Sequence, residues 1–309
     1  MLVGLVGCGI VGTHLGTRLL RAGHTLKVHD IDATRAESLL AAGATWAALP
    51  RTAGEGCGLT IGALPGPDED RAVLLGDDGL WAAAEEGLVH LDCSTVGPDC
   101  ARRLAKKARA RKVRYLDAPI SRGALTERGP LLVMWIGGDA DLFDEFRPLL
   151  ETLADRLSWC GGVGHAQITK LINNLVTQSL AVTLGEALTL GVRAGVQLES
   201  LRGALRQGTA QNRLLDEMLP FSAFRDEWRP GLRLDLAAKD LGLATDLAAE
   251  HGLKLPLTKR VVKEYQRALE QGWAGSSCHS VLKLAEERAG VTLRSILPDQ
   301  AGDDEEPLG

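Results

Sequence analysis

The segment that most constrains this chain is Gly7-Cys8-Gly9-Ile10-Val11-Gly12, which follows an apolar run at residues 2–6 and opens a helical pattern. Each glycine has its own use in such a turn. The first permits a tight bend, the second lets backbone approach a pyrophosphate, and the third lets helix and strand pack closely. The helix start then offers unpaired N–H groups to the phosphate charge. In a chain with 36 glycines the spacing alone carries little weight. Its context carries more: strand, turn and helix in order, with Asp30 eighteen residues after Gly12 at the end of the next apolar run. Gly7, Gly9, Ile10, Val11 and Gly12 are accordingly the expected dinucleotide-binding residues. A carboxylate at Asp30 accepts hydrogen bonds from ribose hydroxyls and repels a 2′-phosphate, which favours NAD over NADP. Asp32 adds negative charge nearby, or caps the following helix, and Arg35 partly offsets it.

Short β-rich runs at residues 2–6, 25–30, 59–64, 88–93, 113–118 and 131–136 alternate with helical patterns such as 98–110 and 139–154. This is the signature of βα units that build a parallel sheet. After a glycine-rich stretch at 159–164 the character changes. Ile168, Leu171, Ile172, Leu175, Val176, Leu180 and Leu184 form an apolar stripe of helical spacing, and a helix over 165–194 spans roughly 45 Å. The expected fold class is α/β: an N-terminal Rossmann-like doubly wound sheet, followed by an all-α C-terminal domain built on a long helix. The expected boundaries are 1–162 for the NAD-binding domain, 163–296 for the helical domain and 297–309 for an acidic tail.

Apolar residues are 45% and charged residues 24%, with a net charge of -5, which describes a soluble globular chain with no dedicated nucleic-acid surface. Six cysteines are scattered without paired or histidine-linked metal spacing, so reduced thiols and no metal are expected. The apolar start lacks a basic leading segment and is broken by glycines, unlike a secretory signal. A cytoplasmic protein with no membrane partner is the resulting expectation.

Lys170 and Asn174 lie four residues apart, on one face of the long helix and beside its apolar stripe. Read from the residues alone, they are either a solvated polar pair or a cleft-facing one. In a cleft, burial lowers a lysine pKa toward ~7–8, where it exchanges protons at neutral pH.

The ordered motifs weigh on that choice. Gly7 to Gly12, Asp92-Cys93-Ser94-Thr95, Asp117-Ala118-Pro119-Ile120-Ser121-Arg122-Gly123, the Gly164 to Asn174 segment and Lys239-Asp240-Leu241 resemble, in sequence and order, the β-hydroxyacid dehydrogenase family. That resemblance implies Lys170 as general acid/base and Asn174 as the group orienting the reacting oxygen. It also implies Thr95 near the nicotinamide and substrate, Leu64 and Pro65 flanking the cofactor, Ser121 and Gly123 in the substrate cradle, and Lys239 closing over the site from the helical domain. A homodimer or homotetramer with intertwined helical domains is implied as well.

One position departs from the family pattern. Arg122 stands where members have glycine, and the local sequence is similar to sulfolactaldehyde reductases, in which the equivalent arginine meets the sulfonate. A guanidinium fork suits carboxylate, sulfonate or phosphonate oxygens, so a small anionic substrate is expected; an arginine turned to solvent or paired with Glu127 is the plainer reading. Competing functions are an imine reductase, which generally lacks the lysine, a β-decarboxylating dehydrogenase, and a nicotinamide-sensing protein without chemistry. His165 is expected to be exposed, and Cys278-His279 to lie in a loop between terminal helices.

Overall fold

The computed structural model describes residues 1–82, 84–126 and 129–294. The expected acidic tail at 297–309 and Glu127 lie outside them. In chain order the first half contains β1 (Leu2–Val6), α1 (Ile10–Arg21), β2 (Thr25–His29), α2 (Glu37–Ala41), β3 (Thr45–Trp46), α3 (Pro50–Gly54), β4 (Leu59–Gly62), α4 (Pro67–Leu75), β5 (Val89–Asp92), α5 (Pro98–Ala110), β6 (Arg114–Asp117), β7 (Ile120–Thr126), β8 (Gly129–Gly137), α6 (Ala140–Leu153) and β9 (Arg156–Gly161). The second half contains α7 (His165–Arg193), α8 (Leu198–Gln207), α9 (Leu234–Glu250), α10 (Pro256–Glu270) and α11 (Leu282–Ala289), with short helical turns between.

The strands form one sheet in the order β3-β2-β1-β4-β5-β6-β8-β7, with β9 paired to β8. Pairing is parallel from β3 to β6, and β6–β8 and β7–β8 are antiparallel. The chain reverses direction across the sheet between β1 and β4, the switch point at which such sheets leave a crevice beyond the strand ends. The sheet is the expected doubly wound one, and the described second half is helical apart from an isolated bridge between Arg233 and Ser277.

Alternation along each strand divides the core into two layers. Val3, Leu5, Leu59, Ile61, Val89, Leu91 and Leu116 pack on one face with Leu15 and Leu19 of α1 and Leu150 of α6. Val6 and Tyr115 point the other way, toward Leu74, Trp81, Leu104 and Ala108. The second layer is unusually polar at β5, where His90 and Asp92 are fully buried.

By internal packing the chain divides into two units: Met1–Val176 with Ala238–Lys259, and Thr177–Ala237 with Arg260 onward. The boundary expected at residue 162 falls inside the first. In the second unit the Tyr265 hydroxyl donates to Gln178 Oε1 and to the Cys278 carbonyl, and the Arg294 guanidinium bonds Glu286. Cys278 and His279 lie in the expected connection between the last two helices, α10 and α11, where they form a buried single turn of 3-10 helix with His279 Nδ1 3.0 Å from Ser222 Oγ.

Helix α7 has the length and hydropathy of a membrane span, with a mean of 1.4 over its most apolar window. Its buried Gln167, Lys170, Asn174 and Gln178 instead mark a helix whose polar face is used inside a folded protein.

Candidate active site

The glycine turn has the geometry its spacing requires. Gly7 has a φ of +94°, open to glycine at little cost, and an added Cβ would sit 2.4 Å from the Ala63 carbonyl oxygen. At Gly12 a Cβ would collide with the Gly7 carbonyl oxygen at 1.8 Å, so α1 approaches the turn as closely as backbone allows. At Gly9, by contrast, a Cβ would meet no atom within 4 Å, and no side chain caps α1. An open approach to a helix N-terminus whose N–H groups face outward fits a pyrophosphate.

Asp30 is buried at the end of β2 and braces this turn. Its Oδ2 accepts the Cys8 N–H at 2.7 Å and its Oδ1 the Asp32 N–H at 3.0 Å. Arg35 reaches Asp32 at 3.4 Å and Asp30 at 3.9 Å. Asp32 also caps the following helical turn through Thr34. Beside Asp30, burial and the neighbouring carboxylate push the Cys8 thiol up to about 12 and keep it protonated.

The loops after β4 and β5, which carry Leu64-Pro65 and Ser94-Thr95, are tied from several sides. Lys239 Nζ on α9 donates to the Pro65 carbonyl at 2.8 Å and the Thr95 carbonyl at 2.6 Å, and lies 3.1 Å from Asp240 Oδ1. Asp240 Oδ2 in turn accepts from Asn174 Nδ2 at 2.6 Å. One unbroken polar chain therefore runs from Asn174 on α7 to the two loops. Lys170, one turn before Asn174, is 6% exposed and Asn174 4%. Of the two readings that the sequence left open, burial excludes the solvated pair.

Gln167, one turn earlier still and fully buried, was given no role on sequence grounds. Its Oε1 accepts the Val96 and Gly97 N–H groups at 3.0 and 3.2 Å, and its Nε2 donates to the Ser94 carbonyl at 3.0 Å. Asp117 at the end of β6 completes this tether by accepting the Gly164 and Gln167 N–H groups. Burial raises the Asp117 carboxyl to about 6 against those two hydrogen bonds. The start of α7 is thus fastened to the ends of β5 and β6. His165, beside it, is exposed as expected.

Beneath the Ser94 loop lies a buried acidic pair. Ser94 Oγ accepts the Leu64 N–H and donates to Asp70 Oδ1, while Asp92 accepts from the Ser94 N–H and the Tyr115 hydroxyl. Burial, reinforced by Asp92, pushes the Asp70 carboxyl well above the usual range, and burial raises Asp92 too.

Ser121, Arg122 and Gly123 lie along β7, and the strand register shifts between Arg122 and Leu125. Ser121 and Arg122 are half-buried, so the open-solvent reading of Arg122 fails. Arg122 turns to α1, where its Nη1 lies 3.4 Å from His14 Nε2.

Residues 2–162 match the family described as the NAD binding domain of 6-phosphogluconate dehydrogenase. Residues 164–285 match the one described as the NAD-binding region of NADP-dependent 3-hydroxyisobutyrate dehydrogenase. The chain is 32% identical over 294 residues to an NAD-dependent L-serine dehydrogenase of Pseudomonas aeruginosa, covering 93% of this chain and 99% of that one. It is 28% identical to a 3-sulfolactaldehyde reductase of Escherichia coli, covering 94% and 98%. Among solved structures, a Mycobacterium tuberculosis 3-hydroxyisobutyrate dehydrogenase with L-serine superposes with a TM-score of 0.80 at 26% identity, covering 92% and 98%. With the glycine turn, the sheet order and these matches in agreement, the chain belongs to the 3-hydroxyisobutyrate dehydrogenase family of nicotinamide-dependent dehydrogenases and reductases that act on CH–OH groups.

Proposed function

We propose that this enzyme interconverts a small anionic hydroxyacid-type alcohol and its semialdehyde, using Lys170 as general acid/base. The observation that carries this reading is the burial of Lys170 between two anchored turns of α7, Gln167 fixed to the Ser94–Gly97 backbone and Asn174 fixed through Asp240 and Lys239 to Thr95 and Pro65. Lys170 is thereby held away from bulk water at a defined place on the helix.

Gly7, Gly9, Ile10, Val11 and Gly12 would hold the coenzyme pyrophosphate, with Asp30 at the ribose, Leu64 and Pro65 beside the cofactor, and Thr95 near the nicotinamide. When bound, that coenzyme takes or returns the hydride. Lys170 Nζ removes the substrate hydroxyl proton in oxidation and restores it in reduction. Asn174 orients the same oxygen, Ser121 and Gly123 cradle the substrate, and Lys239 steadies the loops around it. Arg122 meets the anionic head group.

NAD is the preferred coenzyme because Asp30, with Asp32 beyond it, puts negative charge where a 2′-phosphate would lie. Exposed Ile172 and Val176 on α7 support a homodimer or homotetramer, and the functional division falls at 162/163. We place the enzyme in the cytoplasm, without membrane or nucleic-acid partners.

The test is Lys170→Ala, assayed for turnover of small anionic semialdehydes and, separately, for NADH binding by fluorescence. Turnover is expected to fall by about 10²–10⁴-fold with NADH affinity retained. A variant that keeps its turnover would end this reading.

A further inference from the structure

We infer that His14 is a second contact for the substrate head group, and that with Arg122 it selects a tetrahedral head group of three oxygens, sulfonate or phosphonate, over a planar carboxylate. This rests on the reading of Arg122 given above and extends it to a residue on another element.

Three observations carry the inference. First, Arg122 is half-buried, and among the described residues its polar contact is a histidine nitrogen and no carboxylate pairs with it. Burial pulls its pKa down. The neighbouring cation on α1, Arg18, differs in this respect, because Asp155 compensates it at 2.8 Å.

Second, a guanidinium only donates, so the 3.4 Å contact requires a lone pair on His14 Nε2 and hence a neutral ring. Burial, then Arg122 and Arg18, hold the His14 pKa below its ordinary value, in keeping with that state. Third, the two groups come from α1 and β7, so their donors converge from different directions.

A carboxylate that engages one guanidinium fork turns both of its oxygens to it, and the lone pairs that remain lie in the plane of the fork, not toward a donor approaching from another element. A head group with three oxygens engages the fork and still presents an oxygen to the ring. Its negative charge also offsets the repulsion from Arg122 and Arg18 that adds to burial in holding the His14 pKa down. The anion then draws a proton from solvent onto Nε2, and the acceptor becomes a second cationic donor. No bond other than this N–H is made or broken.

The experiment compares the parent, His14→Phe and Arg122→Gly on three semialdehydes of one carbon skeleton ending in sulfonate, phosphonate or carboxylate, with KM and kcat read separately. H14F is expected to raise KM about tenfold for sulfonate and phosphonate and by less than about twofold for carboxylate, with kcat little changed. R122G is expected to raise KM for all three. A KM rise in H14F confined to the sulfonate, or confined to the phosphonate, assigns the head group to that source and supports the inference. An H14F variant that affects all three equally, or none, while R122G weakens them, overturns the role of His14 and leaves the anionic reading standing. An R122G variant with unchanged KM for every anion removes both. Thermal shifts with NAD and methanesulfonate, methylphosphonate or acetate give the same comparison without turnover, and His14→Asn replaces H14F if the latter does not fold.

Discussion

Asn174 Nδ2 donates to Asp240 Oδ2 at 2.6 Å, joining α7 to α9 through two side chains that are almost entirely buried. Because Asp240 is also ion-paired with Lys239, which holds the Pro65 and Thr95 carbonyls, this one contact sets Asn174 in register with both loops.

Asp240→Ala is therefore expected to act on catalysis more than on stability. Removing the carboxylate takes from the Asn174 amide one of its side-chain partners, leaving the Asn173 Nδ2 donation at 3.0 Å, and leaves Lys239 without the Asp240 carboxylate. A hydrogen bond to a charged group contributes about 1.5–3 kcal/mol, so kcat/KM should fall by roughly 10–100-fold. Steady-state kinetics beside a melting curve checks this, and a variant that loses stability while its folded fraction stays fully active contradicts it.

Gln167→Leu has the opposite balance. The substitution strands the buried Val96 and Gly97 N–H groups, at a cost of about 1–3 kcal/mol each. The melting temperature should drop by several degrees. Gln167→Glu keeps the acceptor oxygen for those two N–H groups and is expected to recover part of the loss. Equal melting temperatures for parent and Leu variant would show that the tether contributes nothing.

For Asp30, structure adds a second duty to the one read from the sequence. Its oxygens already accept the Cys8 and Asp32 N–H groups, so Asp30→Ala should loosen the glycine turn as well as weaken discrimination against NADP. The ratio of kcat/KM for NAD to that for NADP is expected to fall at least about tenfold, and NAD binding itself to weaken. Assays with both coenzymes settle this; an unchanged ratio excludes Asp30 from coenzyme choice.

The pH dependence of stability can be followed one buried group at a time. His90 is fully buried, near Thr60 and stacked on Tyr115, and burial lowers its pKa to about 3. The unfolded chain binds that proton near pH 6.5, so the contribution is intact above pH 6.5 and is lost as pH falls from there toward 3. Relative to His90→Phe, the parent should lose about 1.4 kcal/mol per pH unit over that range. Asp117, raised to about 6, works the other way: its contribution is full below about pH 3.9 and is lost as pH rises to 6. Relative to Asp117→Asn, the parent should gain stability on acidification from pH 6 to 4. Urea titrations of the three proteins at several pH values check both signs.

The sequence by itself determined the glycine turn, the parallel βα order and α7, because each rests on local spacing: glycines within six residues, alternation within a strand, an apolar stripe every three or four positions. Lys170 and Asn174 were legible for the same reason, as polar residues at helical spacing beside that stripe. The tertiary structure decided what local spacing does not encode. Strand β3 has only two residues, and no residue of β9 is fully buried, so neither shows the apolar pattern of the buried strands; the last three residues of β9 lie in the glycine-rich stretch at 159–164. Strand β7 gains its identity from pairing with β8. Gln167 with Ser94, Asp240 with Asn174, and Arg122 with His14 are separated by 73, 66 and 108 residues, and no periodicity links them. Such partners are chosen by burial: once the sheet and helices pack, each polar atom removed from water must find whichever complementary group the fold has brought within reach.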